Sequence, residues 1–191
     1  MTDEAPKRPT GDYDALYRSY LTLLKQVDQL STLREVGLAI NSTLELDEAL
    51  PIIANVVQGA LDVSKLTIFQ LSKDHETAKP VIAKFGRDLI TPDRLEEEKR
   101  AVQGTPIGDA LETRQVVVIN TDDESDAYVP LMTKNAVLGI LRLEDRRDGV
   151  PFSQEDAAFF HTLGSQIAVA INNAQLYAMA VTDGLTDLYV R

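Results

Sequence analysis

Residues Tyr128–Leu143 read YVPLMTKNAVLGILRL. Two apolar segments, Tyr128–Met132 and Val137–Leu143, stand on either side of a turn at Lys134-Asn135, and this arrangement predicts a β-hairpin. A shorter strand is predicted before it, at Val116–Ile119, where four β-branched residues follow one another. The hairpin is the clearest β-structure in the chain.

The segments before the hairpin predict further strands and helices. Alternating apolar residues predict one strand at Leu66–Leu71 and another at Val81–Phe85, with a polar turn between them. A helix is predicted at Leu46–Leu61, and short helices are predicted at Asp93–Val102 and from Thr105. Together with long helices at both ends of the chain, this order of elements predicts an α+β domain.

The two long terminal helices each carry an apolar seam. The first helix, from Tyr13 to Ile40, has heptad spacing, and the last begins at Gln154. The first seam contains Leu16, Tyr20, Leu23, Val27 and Leu30. The last alternates spacings of three and four residues through Phe160, Leu163, Ile167, Ala170, Ala174, Tyr177 and Val181. We expect both seams to be buried against a second copy of the chain, forming a dimeric bundle.

The composition limits the classes of function. The chain has 191 residues, of which 30 are acidic and 19 basic, and its net charge of -11 should repel nucleic acids and anionic membranes. It has no cysteine, which excludes disulfides, thiolate metal sites and a cysteine nucleophile. No apolar run approaches the roughly 20 residues of a membrane span, and the start of the chain does not resemble a signal peptide. We therefore expect a cytoplasmic protein that binds neither nucleic acid nor membrane.

Patterns typical of catalysis or metal binding are weak. The two histidines, His75 and His161, are interpreted as a loop residue and a helix-face residue in preference to haem or metal ligands. The loop Asp122–Asp126 has the first three ligand spacings of a calcium loop, but Ala127 and Thr133 replace its glycine and its glutamate. We predict no catalytic residue, no metal site and no evident cofactor in this chain.

A small-molecule pocket is the remaining candidate site. The polar middle segment, residues 86–115, lies between predicted strands and offers apolar side chains that line either a cavity or an ordinary core. The candidate pocket residues are Phe85, Leu89, Leu95, Ile107, Leu111 and Tyr128.

Residues 33–174 resemble a GAF domain, a small-molecule sensing module. The resemblance rests on the hairpin of residues 128–143, on Pro151–Asp156 and on Ile167–Tyr177, in this order and at this spacing. It implies an antiparallel sheet flanked by helices and a ligand of unknown identity.

Some GAF domains bind cyclic nucleotides and share a scattered motif. Arg146, Phe152 and Asp156 are compatible with that motif, whereas Asp145 and Ala157 are not. A cyclic nucleotide is therefore one candidate ligand. Phe152 and Asp156 are equally well interpreted as an anchor and a first-turn acid at a helix N-terminus.

The last nine residues resemble the opening of GGDEF domains, where Asp-x-Leu-Thr-Gly-Leu-x-Asn-Arg is usual. Asp187 and Val190 depart from the pattern, and the residues that match are Asp183, Leu185, Thr186, Leu188 and Arg191. GGDEF domains are diguanylate cyclases, which join two GTP molecules into cyclic di-GMP. The resemblance implies that a bacterial cyclase domain follows in the same protein, whereas this chain, which lacks the catalytic apparatus, is not expected to be an enzyme.

The expected organisation has five parts. These are a loose tail at residues 1–12, a coiled-coil-like helix at 13–32, the GAF domain at 33–174, a signalling helix at 175–182 and the truncated GGDEF start at 183–191. We expect a homodimer in which a bound ligand alters the paired helices and so the cyclase. Two alternatives remain: a purely structural dimerisation module with a filled pocket, and an independent small-molecule enzyme.

Overall fold

The computed structural model describes residues 10–40, 45–91, 100–134 and 136–186. These ranges contain four helices and seven strands, and their order confirms the predicted α+β class. The elements are α1 (Thr10–Ile40), α2 (Leu46–Leu61), β1 (Val63–Leu71), β2 (Thr77–Phe85), β3 (Asp88–Ile90), β4 (Arg100–Ala101), α3 (Pro106–Thr113), β5 (Val117–Asn120), β6 (Ser125–Met132), β7 (Val137–Arg146) and α4 (Gln154–Thr186).

The strands form one antiparallel sheet in the order β3-β2-β1-β7-β6-β5, and the short β4 pairs with β2. The predicted hairpin is confirmed as β6 and β7 in the middle of the sheet, where Val129 pairs with Leu141. On its other side β7 pairs with β1, and Gln70 lies opposite Gly139. A Cβ at Gly139 would overlap the carbonyl oxygen of Phe69, so the close approach of β1 and β7 requires a glycine here.

Two short elements differ from the sequence prediction. Most of the helix predicted at Asp93–Val102 falls on residues 92–99, which lie outside the described residues, and its described end forms β4 instead of a helix. The strand predicted from Tyr128 begins earlier, at Ser125, because the end of the acidic loop pairs with β5.

One face of the sheet is covered by α2 and α4. Helical spacing places Ile53, Ala54 and Val57 of α2 on this face, where all three side chains are fully buried. The largest fully buried side chains of this helix-side core are Ile53, Leu66, Ile68, Ile82, Leu131, Leu141, Leu143, Phe160, Leu163 and Ile167. Each such side chain contributes about 1.5–3 kcal/mol on burial, so this core is the main source of stability.

The predicted seam of α4 belongs to this core, which corrects its assignment to a dimer interface. Leu163 and Ile167 are fully buried, and Ala170 and Ala174 are only 4% exposed, all within a single chain. The seam faces inward because α4 lies on β6 and uses its apolar stripe to cover its own sheet. Beyond this core, Tyr177 is 44% exposed.

Helix α1 runs parallel to α4, and α2 runs antiparallel to both. Lys25 of α1 forms an ion pair with Asp156 at the start of α4, and Asp28 lies beside the end of α2. The start of α2, at Leu46, lies beside Gln175 of α4. The part of α1 before Lys25 therefore extends past the start of α4, and the part of α4 after Gln175 extends past the opposite end of the core. At 1.5 Å per residue, these overhangs are about 22 Å and about 16 Å long.

Both long helices extend further than expected from the sequence. Helix α1 begins at Thr10, within the predicted tail, and α4 ends at Thr186. The residues Asp183–Thr186, which begin the GGDEF-like motif, therefore continue α4 without a break. The rest of that motif, with Leu188 and Arg191, lies outside the described residues.

Candidate functional site

The opposite face of the sheet carries a second, smaller core beneath α3. Alternation along β1 and β7 points Phe69 and Ile140 to this face, whereas the neighbouring Ile68 and Leu141 point to the helix-side core. Helix α3 begins at its N-cap Thr105, whose hydroxyl oxygen accepts a backbone hydrogen bond of 3.3 Å from the first turn. The buried members of this group, here called the α3 cluster, are Phe69, Ala78, Val102, Ile107, Ala110, Tyr128 and Ile140.

Three of the predicted pocket residues come together in or beside the α3 cluster. Ile107 is 6% exposed and Tyr128 is 8% exposed, and the half-buried Leu111 packs against the cluster. Ile107, Leu111 and Tyr128 therefore lie in one apolar group on this face of the sheet.

The other three predicted pocket residues are not part of this group. Leu89 packs against the helix-side core, on the other face of the sheet. Phe85, at the end of β2, is 37% exposed. Leu95 lies outside the described residues.

A polar cluster of Lys65, Asp126, Tyr128, Arg142 and Glu144 borders the α3 cluster. The Arg142 guanidinium donates a hydrogen bond of 2.7 Å to the Asp126 carboxylate and lies 3.3 Å from the Glu144 carboxylate. The Lys65 ammonium lies 3.7 Å from Glu144, and the Tyr128 hydroxyl donates to Asp126 at 3.3 Å. The strand register sets these contacts, since Tyr128 lies opposite Arg142 and Lys65 lies opposite Glu144.

The four charged members of the polar cluster were not predicted as site residues. Along β7, Arg142 and Glu144 alternate with Leu141 and Leu143, which are fully buried in the helix-side core. The alternation of charged and apolar residues could have predicted the polar cluster, because successive side chains of a strand point to opposite faces of the sheet.

Burial changes the proton affinities in the polar cluster. Burial raises the pKa of the Glu144 carboxyl, and the positive charges of Arg142 and Lys65 offset this only in part. Burial also raises the pKa of the Tyr128 hydroxyl, again against the charge of Arg142. For Arg142 itself burial favours the neutral form, but the hydrogen bond to Asp126 and the charge of Glu144 outweigh it and raise the pKa, so the guanidinium stays charged.

The arrangement suits binding better than catalysis. A ligand there would meet the apolar α3 cluster on one side and paired charges on the other. The Nε atom of Arg142 is buried and has no hydrogen-bond partner among the described residues, and the same holds for the Nε atom of Arg146. Neither of the two histidines of the chain belongs to either cluster.

An open cleft of about 520 Å³ lies beside α3. It is lined by His75, Glu76, Ala101, Val102, Gln103, Gly104, Gly108, Asp109 and Glu112. Because Val102 also belongs to the α3 cluster, a small molecule in this cleft would contact the edge of that cluster.

The residues of the cyclic-nucleotide motif lie elsewhere, at the junction between β7 and α4. The Arg146 guanidinium lies 2.9 Å from the Asp156 carboxylate and stacks on the ring of Phe152, 5.3 Å from its centroid. The Phe152 ring is buried and meets that of Phe160 edge-on. Asp145 accepts a hydrogen bond of 2.9 Å from the backbone of Ser125. These contacts fasten the start of α4 to the sheet.

Asp156 is the centre of this junction. Both the backbone N–H and the hydroxyl of Ser153 donate to its carboxylate, at 2.8 Å and 2.7 Å, and the Asp156 backbone N–H donates to the Ser153 hydroxyl oxygen at 3.2 Å, which completes a capping box at the start of α4. Burial acts to raise the pKa of Asp156, but the hydrogen bonds from Ser153 and the contact with Arg146 outweigh it and hold the pKa at about 2. Since Lys25 also reaches this carboxylate, at 3.3 Å, the junction ties α1 to α4.

We expect Asp156→Asn to remove a pH-dependent part of the stability. The folded pKa of about 2 lies below the ordinary value of 3.8, so the ionised carboxylate stabilises the fold above that ordinary value, by about 2 kcal/mol. This contribution is lost as the pH falls from about 4 to about 2. Urea unfolding at pH 7, 4 and 2 should show the loss in the wild type and a flatter profile in Asp156→Asn. Asp123→Asn, in the exposed loop after β5, is the control, and an equally flattened profile there would contradict the assignment.

The exposed side of α4 carries apolar residues both outside the predicted seam and, at Tyr177, within it. Large apolar side chains point to solvent at Val169, Leu176, Tyr177 and Met179, which are 48%, 56%, 44% and 66% exposed. Nothing is described for the side chains of Val181, Asp183, Leu185 and Thr186.

The predicted seam of α1 is exposed along its whole length in the single chain. Every side chain of α1 from Tyr13 to Asp28 is exposed. The large apolar members of this surface are Tyr13, Leu16, Tyr17, Tyr20, Leu21, Leu23, Leu24, Val27 and Leu30, each at least 47% exposed. A monomeric soluble protein rarely exposes so long an apolar strip.

Metal and membrane features give no further candidate site in the described part of the chain. Within residues 10–40, 45–91, 100–134 and 136–186, no group of three or more histidine, aspartate and glutamate side chains could hold a metal ion. No described helix combines the length and the apolar character that a membrane crossing requires.

Comparison with known sequences identifies similar proteins. The family model described as GAF domain matches residues 45–173. Diguanylate cyclase A of Treponema denticola is 24% identical over 190 residues, which cover 87% of this chain and 49% of that protein. The chain thus spans about half the length of this curated relative.

Solved structures share the fold. The GAF domain of a phosphoenolpyruvate-protein phosphotransferase from Acinetobacter is 24% identical with a TM-score of 0.65, covering 78% of this chain and 96% of that one. The corresponding GAF domain from Coxiella burnetii is 17% identical with a TM-score of 0.65, covering 80% and 98%. A free methionine-R-sulfoxide reductase from Neisseria meningitidis, solved with its substrate, is 13% identical with a TM-score of 0.62, covering 78% and 91%. At these identities the likeness concerns the fold alone.

Proposed function

Because this chain belongs to the GAF domain family, we propose that it is a homodimeric sensory module that relays a signal through α4 to a diguanylate cyclase domain. The chain itself carries out no catalysis in this proposal. A small molecule bound at the α3 side of the sheet alters the start or the tilt of α4, and the paired helices pass the change to two cyclase domains.

The observation that carries the proposal is the continuity of α4. One helix of 33 residues begins at the Asp156 junction, packs on the sheet as far as Ala174 and then continues past the core to Thr186. A helix moves as a nearly rigid rod over this length, so a shift of its packed part displaces its free end.

The cyclase as the receiver of the signal is supported by two observations on sequence. The chain resembles Diguanylate cyclase A of Treponema denticola along 87% of its length. Its residues Asp183, Leu185 and Thr186 match the opening of GGDEF domains and lie on α4 itself. Cyclic di-GMP synthesis joins two GTP molecules held by two facing domains, which is why a dimeric input suits this output.

The ligand site is supported by the polar cluster. The buried Nε atom of Arg142 lacks a partner among the described residues, and the α3 cluster lies beside it. A ligand with an acceptor group, such as a carboxylate or a phosphate, and an apolar part would satisfy both surfaces. A cyclic nucleotide is one member of this class.

A second candidate function is a structural dimerisation module without a ligand. The observation that favours it is the close packing of Ile107 and Ala110 of α3 with Tyr128 of β6. Thermal-shift measurements with cyclic nucleotides and with small carboxylates separate the two functions, since a ligand stabilises the protein by mass action. A melting temperature that no compound changes supports the structural function.

The homodimer is tested by a charge in the α1 seam. Leu23 is 57% exposed in the single chain, so Leu23→Glu should leave the fold intact and weaken the dimer. The loss of one apolar contact of ~1.5 kcal/mol from each copy raises the dissociation constant by roughly 100-fold. Sedimentation equilibrium measures the change. Thr22→Glu, an exposed position about 100° around the same helix from Leu23, is the matched control, and a wild-type chain that is monomeric at all concentrations contradicts the homodimer.

A further inference from the structure

The outward face of α4 carries a heptad pattern of its own. Six side chains follow one another at spacings of four, three, four, three and four residues, and all six are exposed in the single chain. They form the outer seam, which consists of Thr162, Gln166, Val169, Asn173, Leu176 and Ala180. This spacing keeps the six residues on one side of a helix that pairs with another helix.

The outer seam lies in a segment without charge. Residues 157–182 contain no aspartate, glutamate, lysine or arginine, although such residues make up 26% of the chain. A helix face that remains in water is normally polar and charged. The absence of charge along this length therefore indicates a face that another surface covers.

A second copy of the chain is the occupant that the charges favour. With a net charge of -11, two copies repel each other over most of their surface. Two outer seams have no charges to oppose one another, and identical faces meet naturally across a two-fold axis. An anionic membrane surface would require lysine or arginine on this face, and residues 157–182 have neither.

We infer that two copies pair through their outer seams in parallel and in register, and that Asn173 sets this register by facing the Asn173 of the other copy. The inference rests on the homodimer proposed above and identifies its interface on α4. A buried asparagine at a seam position specifies both dimer formation and axial alignment, because only the aligned arrangement satisfies both amides, and Asn173 lies between the apolar seam residues Val169 and Leu176.

The parallel orientation follows from the order of residues along the outer seam. In a parallel pair, Val169 faces Val169 and Leu176 faces Leu176. An antiparallel pair centred on Asn173 would place Ala180 opposite Gln166, with a polar residue against an apolar one. The parallel pair also brings both ends of α4 to the same end of the dimer, which is the arrangement that two facing cyclase domains require.

Disulfide trapping tests this interface against a clean background, because the sequence has no cysteine. Val169→Cys, Leu176→Cys and Ala180→Cys should each form a crosslinked dimer as the main product under mild oxidation, since a disulfide needs Cβ atoms about 3.5–4.5 Å apart and only facing seam positions bring two copies of the same residue this close. Met179→Cys is the matched control, because Met179 is equally accessible, at 66% exposed, but lies off the seam. It should remain uncrosslinked.

The outcomes separate the interface from the homodimer itself. Crosslinking at Met179 as efficient as at Leu176 overturns the assigned face. A crosslink at only one of the three seam positions overturns the parallel orientation, because an antiparallel pair centred on Leu176, for example, separates the two Val169 residues by about 21 Å along the axis. No crosslink at any seam position in a chain that sediments as a dimer overturns this inference and leaves the homodimer intact.

The role of Asn173 has its own variant. Asn173→Val should tighten association by roughly tenfold or more and replace a single dimeric species by a mixture that includes larger assemblies or shifted pairings. Asn172→Val, at the adjacent position off the seam, should keep the wild-type mass distribution. A single dimeric species of unchanged affinity in Asn173→Val overturns the register role.

Discussion

Ile167→Glu is expected to unfold the chain instead of separating two copies of it. Ile167 is fully buried between α4 and the sheet, so the variant loses the burial of a large side chain and places a carboxylate without a partner in the core. The first effect costs about 2–5 kcal/mol and the second adds several more. This sum is comparable with the entire stability of a domain, which is about 5–15 kcal/mol.

Circular dichroism and urea unfolding measure this effect, with Met179→Glu as the control. Met179 lies on the same helix but is 66% exposed, so its replacement should leave the unfolding midpoint nearly unchanged. A folded, monomeric Ile167→Glu chain would contradict the placement of Ile167 in the core and would restore the predicted seam as a dimer interface.

The largest functional effect is expected from an insertion in α4 that rotates the cyclase domain about the helix axis relative to the GAF domain. In a fusion of residues 1–191 to a diguanylate cyclase domain, two alanines inserted after Met179 turn everything beyond them by about 200°. The facing cyclase domains then lose their alignment, and the rate of cyclic di-GMP synthesis should fall by roughly 10- to 100-fold. An insertion of seven residues restores the phase of the heptad to within about 20° and should retain most of the activity.

The insertion experiment needs two controls. The sedimentation mass of each variant shows whether the dimer persists, so that a loss of activity is not confused with dissociation. A two-residue insertion placed after Arg191 reports the effect of chain length alone. Equal activity of the two-residue and seven-residue insertions within α4 would contradict a relay through the orientation of this helix.

Sequence patterns were sufficient for the five longer strands of the sheet and for the existence of the long helices. The hairpin of β6 and β7, the start of α2 at Leu46 and the start of α4 at Gln154 were all predicted within a few residues. Each has a local signal, namely alternation around a polar turn or an apolar repeat that follows a capping residue.

The surface that covers each apolar stripe of a helix could not be predicted from such local signals. The regular spacing from Leu163 to Ala174 indicates that one side of α4 is buried, but it does not indicate by which surface. Large side chains such as Phe160 and Ile167 fit the sheet of the same chain, whereas the outer seam, with smaller and polar residues, has the same spacing and faces outward. Heptad spacing alone therefore does not distinguish an intramolecular core from an interface between chains.

The candidate pocket depended on which face each strand residue takes. A shift of one position along a strand moves a side chain to the other face of the sheet. The turn after Phe85 places Leu89 against the helix-side core instead of the α3 cluster. The charged residues Arg142 and Glu144 were overlooked because they stand among apolar neighbours in β7, where a search for apolar lining residues does not select them.

The parallel course of α1 and α4 has a consequence for longer polypeptides. The chain enters the domain through a helix at one pole and leaves through a helix at the other, and both helices point the same way. Several domains of this kind joined in tandem would stack in series, each exit helix becoming the entry helix of the next. A rotation of the first helix in the series would then be transmitted to every domain after it.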